Sequence, residues 1–158
     1  MLQGTNIVIP FPMRSNNIWF APHAPNSSRR FVVADTNGPK YPSQYYWLWG
    51  SSDGISDWQP IKNTTGRTAD RGTFWHDVFR KRWVFSIKGY RHEELLEFGR
   101  HRLYWETKDD DPFGDYAWNN TDPVLWAAAD TLGETLQANP SNYLSSPVLF
   151  EHRWLTST

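Results

Sequence analysis

The chain has no cysteine among its 158 residues. That absence excludes disulfide bridges, thiol nucleophiles and zinc sites built on thiolate, and it leaves the redox compartment open. Net charge is almost absent as well: 16 Lys and Arg stand against 17 Asp and Glu, for a formal charge of -1. With no basic excess to displace counterions from a phosphate backbone, nucleic acid is not an expected partner. Long apolar runs are missing too, since no window approaches the roughly 20 residues that a membrane-spanning helix requires. The start, "MLQGTNIVIPFPMRSNN", has neither the basic opening nor the apolar stretch of a signal peptide. The expectation is one soluble domain with no membrane partner and an undetermined localisation. The five histidines, at 23, 76, 92, 101 and 152, show no metal-ligand spacing, and neither a Gly-x-Ser-x-Gly elbow nor a Gly-rich phosphate loop occurs. No cofactor and no metal are therefore expected.

Aromatic residues are what the sequence has in excess. Phe, Trp and Tyr make up 16% of the chain, and ten residues are Trp, more than core filling calls for. Most of them sit in runs of period two. In "KRWVFSIK" Trp83, Phe85 and Ile87 fall on one face and Val84 and Ser86 on the other, as a pleated strand requires. In "YYWLWGS" Tyr45, Trp47 and Trp49 alternate with Tyr46 and Leu48, so both faces are apolar and a strand buried on both sides is expected. Shorter runs at 5–9, 17–20, 30–34, 72–76 and 102–107 read the same way, and clusters such as "HAPNSS" and "DTNGPKYPS" between them carry turn chemistry. The one helical candidate is "DPVLWAAADTLGETL", with Asp122 as cap and Pro123 in the first turn, unless that segment is simply extended.

The runs repeat. Aligning "RRFVV" with "KRWVF", "LWGSSDG" with "YWETKDD" and Trp58 with Trp118 gives a period of roughly 52 to 60 residues, the length of one four-stranded propeller blade. In "SSDGISDW" the Asp and Gly supply a tight turn, and the Trp that follows packs a blade on its neighbour. The fold expected is all-β: antiparallel four-stranded sheets, about two blades of a propeller, with a first blade over 1–60 and a second over 61–130. Residues 131–158 form an irregular tail or the start of a third blade. The hairpins of a β-sandwich are the alternative, because strand order cannot be read from spacing. Two blades leave sheet faces uncovered, which points to a partial chain or to self-association. Three sequons, at Asn26, Asn63 and Asn119, are read as chance matches of a frequent motif.

The ordered set "GTNIV", "SNNIWF", "RRFVV", "SSDGI" with Trp58, "DRGTFW", "FRKRWVFSIK" and "GRHRLYWE" with its acidic run resembles the five-bladed β-propeller glycoside hydrolases related to families 32 and 43, over about residues 4–130. The resemblance implies carbohydrate as ligand, a longer protein of which this is the middle, and hydrolysis by two carboxyl groups flanking the glycosidic bond. In "DRGTF" it makes Asp70 the first candidate for an acidic group in the axial funnel, with Arg71 as its partner or a binder of sugar hydroxyls. Asp77 in "WHDVF" is the second candidate; a hairpin-turn role is its plain alternative. Glu106 in "RLYWET" is a third, as proton donor, against an ion pair with Arg100 or Arg102. Some family relatives hold calcium in the funnel, but the residues here call for no metal. The chain also departs from the family: Arg14 and Ala21 stand where an aspartate is usual, and a guanidinium cannot act as a base. A second functional class follows from the aromatics. Trp19, Trp49, Trp75 and Trp105 near strand ends could line a saccharide groove without turnover, against the simpler role of inter-blade packing.

Overall fold

A computed structural model describes residues 9, 16–22, 26–37, 44–62, 65–69, 72–89, 101–108, 118–119, 122–127, 147–150 and 153–156. Strand is the dominant element among these residues. β1 (Asn16–Phe20), β2 (Phe31–Asn37), β3 (Tyr45–Ser51) and β4 (Gln59–Lys62) form one four-stranded antiparallel sheet in chain order. β5 (Thr73–Asp77), β6 (Arg82–Lys88), β7 (Arg102–Glu106) and β8 (Val124–Ala127) form a second of the same order, and β9 (Pro147–Phe150) pairs with β10 (Arg153–Thr156) as a hairpin. The only helical element among the described residues is a single 3-10 turn, Ser27–Arg29, capped by Asn26. No helix among them is long and apolar enough to cross a membrane.

The two sheets pack face to face. Period-two alternation sends Val32 and Ala34 of β2 and Tyr46 and Leu48 of β3 to the side that meets Phe74 of β5 and Trp83, Phe85 and Ile87 of β6. Trp118 fills the gap between sheets, edge-on to Tyr46 at 6.3 Å and against Phe85 at 5.6 Å and Trp105 at 5.1 Å, while its indole N–H donates to the Arg67 carbonyl at 3.0 Å. At the same seam β1 lies alongside β5, so the first strands of the two sheets are neighbours. Register fixes who meets whom: Phe74 faces Phe85 and Phe85 faces Trp105 across the second sheet. Burying side chains of this size is worth about 1.5–3 kcal/mol each, which makes the inter-sheet cluster the main support of the fold.

The strands expected at 17–20, 45–51, 72–76, 81–88 and 102–107 are present within a residue, and the one at 30–34 is present but runs three residues further, to Asn37; the one at 5–9 falls outside the described residues except for Ile9, which lies in a bend. β6 is buried on both faces, Val84 and Ser86 included. β3 is not: Tyr46 and Leu48 are buried, but Tyr45, Trp47 and Trp49 are half-buried, because their face turns away from the second sheet. That outer face carries Ile18, Val33, Trp49 and Pro60 in one cross-strand row and the stacked pair Phe20 and Phe31 in the next, with Ile18 at 53% and Phe20 at 52% exposure. The helix considered over 122–136 is corrected at its start. Val124–Ala127 is strand β8, paired to β7, since Val-Leu-Trp suits a pleated edge; residues beyond 127 in that segment are not described. Asp122 closes a turn instead of a helix, accepting the Asn119 N–H at 2.8 Å.

The "SSDGISDW" segment is a side-chain-built turn. The Ser51 hydroxyl reaches Asp57 at 2.9 Å and the Ser56 carbonyl at 2.8 Å and accepts the Gly54 N–H at 2.8 Å. Asp53 accepts the N–H groups of Ile55 and Ser56 at 2.8 and 2.7 Å and the Ser56 hydroxyl at 2.6 Å, and these bonds, the Ser56 hydroxyl first, hold its carboxyl well below the usual range. Gly54 has φ +73°, and a Cβ there would lie 3.0 Å from the Phe31 ring. Trp118 packs between the sheets as expected, whereas Trp58 is half-buried outside that core.

Candidate functional site

The densest chemistry among the described residues lies on the face of the second sheet that turns away from the first. It begins at the β5–β6 hairpin, where Asp77 stands opposite Arg82 and Val78, Phe79, Arg80 and Lys81 make the turn, Lys81 in the left-handed region at φ 52°. Asp77 Oδ1 accepts the backbone N–H groups of Phe79 and Arg80 at 3.0 and 3.1 Å, the way an Asp closes a turn on itself. Its Oδ2 takes the Arg80 Nε at 2.8 Å and so aims that guanidinium along the sheet. Arg80 Nη2 then donates to the Tyr104 hydroxyl at 2.8 Å, and Nη1 lies 2.8 Å from Glu106 Oε2. Arg82 Nη1 donates to Glu106 Oε1, and the Tyr104 hydroxyl donates to Glu106 Oε2.

Strand geometry explains the convergence. Tyr104 and Glu106 are two apart on β7 and share a face; Glu106 is opposite Val84 on β6, which puts Arg82 at the diagonal position that a long side chain spans. Two residues before Asp77, on the same face, Trp75 packs against Trp126 of β8 at 6.0 Å, and Trp126 meets Tyr104 edge-on at 5.9 Å. Val124, opposite Tyr104 and exposed, extends the apolar rim at the sheet edge. An aromatic floor and an ionic wall thus meet in one patch.

Burial pushes the Glu106 carboxyl up, but the Tyr104 hydroxyl, Arg82 and Arg80 outweigh it and hold the group below its ordinary value. Tyr104 is raised, by burial first and then by its bond to Glu106, and Arg80 is raised by Asp77 and Tyr104. Glu106 is therefore an ionised acceptor with no proton to give at neutral pH. Its partners are Arg80 and Arg82: the expected pairing with Arg102 is replaced, since Arg102 lies fully buried at the far end of β7, and Arg100 is outside the described residues. Asp77 is buried and engaged as the turn-closing carboxylate, the plainer of its two expected roles.

Asp70 and Arg71 lie outside the described residues, in the segment that joins fully buried Ala69 to Gly72 ahead of β5. The four Trp residues proposed for a groove do not share one. Trp19 and Trp105 pack against the inter-sheet core, Trp49 lies on the outer face of the first sheet, and Trp75 is buried as a support beneath Trp126. Sequence reading missed Trp126, Tyr104, Arg80 and Arg82. The i, i+2 pair Tyr104 and Glu106 and the basic turn "FRKR" were the available signals; Trp126 was hidden by the helical reading of its segment. Among the described residues no group of three or more His, Asp or Glu is placed to hold a metal ion. No protein-family model, curated protein or solved structure matches the chain.

Proposed function

We propose that this chain is a carbohydrate-binding unit of β-propeller type, its two sheets serving as consecutive blades, with the Trp126, Tyr104, Arg82 and Glu106 patch, at the β5–β6 hairpin end and β8 edge of the second blade where a further blade leaves the rim open, as the binding site. The blade reading draws support from the like order of the two sheets, from the contact between β1 and β5 as inner strands, and from the apolar outer face of the first sheet, which is what a blade offers a neighbour. The ligand class comes from the ordered motifs that resemble propeller glycoside hydrolases. The observation that carries the site is the meeting of Trp126 and Tyr104 with Arg82 and Glu106: sugar rings stack their apolar face on an aromatic ring while donors and acceptors beside it take the hydroxyls. Calorimetric titration with soluble oligosaccharides tests it, and a Trp126→Ala protein that stays folded and loses the heat of binding is the expected result. Unchanged binding by that variant removes the site.

Hydrolysis is the second reading, and it rests on Asp70. Of the three carboxylates considered, Asp77 and Glu106 are committed to a turn and to guanidiniums, which leaves the residue ahead of β5, the strand that adjoins β1. Release of nitrophenol from aryl glycosides by the native chain, abolished in Asp70→Asn, would favour it; equal rates in both proteins would count against it.

A further inference from the structure

Resting on the binding site proposed above, we infer that the patch selects uncharged saccharides and rejects uronates and sulfated sugars. The inference comes from how the charges are matched. Arg80 is held by Asp77 at 2.8 Å and by Glu106 at 2.8 Å, and Arg82 by the other oxygen of Glu106, so the two guanidiniums and two carboxylates of the wall balance. An anionic group arriving at either guanidinium meets a carboxylate already on it. It must displace Glu106, which would strip the Tyr104 hydroxyl of its acceptor as well, or sit beside a like charge. A sugar hydroxyl meets neither obstacle, because it donates to a carboxylate oxygen and accepts from a guanidinium N–H in the same contact.

Access agrees with this assignment. The Arg82 side chain is 40% exposed and Arg80 48%, while Glu106 is 22% exposed, so donors and an acceptor face solvent from one wall. Trp75 beneath and Tyr104 beside Trp126 fix the indole's orientation, and exposed Val124 continues the apolar surface to the β8 edge. Ordered aromatic faces bind the face of a sugar ring without losing much side-chain freedom, so the choice between neutral and acidic sugars falls to the ionic wall.

The test is calorimetric titration of the intact chain with neutral xylo-, cello- and arabino-oligosaccharides and, separately, with oligogalacturonides and sulfated oligosaccharides, each at low and at half-molar salt. Binding of a neutral series, changed less than about twofold by salt, is expected. Tighter binding of an acidic series, or a neutral affinity that falls tenfold with salt, overturns the charge argument while leaving saccharide binding intact. Binding of no saccharide at either salt overturns the binding site and this inference together. Glu106→Gln supplies a second readout that does not require loss of the fold: it removes the carboxylate from Arg82 and leaves Arg80 with Asp77 alone as its carboxylate, so the variant should gain affinity for oligogalacturonide at least fivefold. No gain in a folded variant contradicts the proposal.

Discussion

Replacing Glu106 with Gln keeps the size and shape of the side chain and removes only its charge, so the consequence can be worked from its three partners. Each exposed ion pair, to Arg80 and to Arg82, is worth about 0.2–1 kcal/mol. The Tyr104 hydroxyl bond to a carboxylate is of the stronger, charge-assisted kind, and part of its value of about 1.5–3 kcal/mol survives with a Gln oxygen as acceptor. The loss at neutral pH should therefore be about 1–3 kcal/mol. Because the folded protein depresses the Glu106 carboxyl, the ionised form adds stability that is fully present above the unfolded value near 4.5 and is lost as pH falls through the lower folded value. The difference between native and Glu106→Gln proteins should shrink as pH is lowered below 4.5. Urea unfolding followed by tryptophan fluorescence at pH 7 and again below pH 4 measures both numbers, and a double-mutant cycle with Arg82→Gln isolates the pair. Equal destabilisation at the two pH values, or zero coupling to Arg82, would refute the reasoning.

Other substitutions probe the fold. Phe85, fully buried between Tyr46, Phe74, Trp105 and Trp118, should cost about 3–5 kcal/mol when cut to Ala, against less than about 0.5 for exposed Val124→Ala; similar losses by thermal unfolding would disprove the inter-sheet core. A Cβ at Gly72 would overlap the Tyr46 hydroxyl, so Gly72→Ala should force the sheets apart and lower the melting temperature by several degrees, whereas Gly54→Ala should strain one surface turn. Asp53→Asn should loosen that turn, seen as faster amide exchange at Ile55 and Ser56 with the core unchanged; protection that stays the same would show the turn to be held otherwise.

How much was legible follows from which signals are local. Period two along "KRWVFSIK" and "YYWLWGS" is a short-range pattern, and both segments are strands. What alternation could not say is which apolar face meets another sheet: β6 is covered on both sides, while Trp47 and Trp49 of β3 are half-open. Trp118 took its expected place, against Tyr46 of the first sheet and Phe85 and Trp105 of the second, yet its counterpart Trp58 lies outside that cluster, a difference that spacing alone does not foretell. The patch was less legible than the fold because it is assembled by register. Arg82, Glu106 and Trp126 are distant in sequence and meet only through the pairing of β6, β7 and β8. The local features of Asp77, a short side chain before a hairpin, were the better guide to its role as a turn closer.

The most direct test of the binding site is the set of tryptophan indole N–H resonances of an isotope-labelled chain, titrated with a neutral oligosaccharide. Ten such signals are available, and the account predicts that Trp126 shifts most and Trp75 beneath it next, with Trp83 and Trp118 of the inter-sheet core unmoved. Shifts confined to Trp19 or Trp49, with Trp126 still, would contradict it.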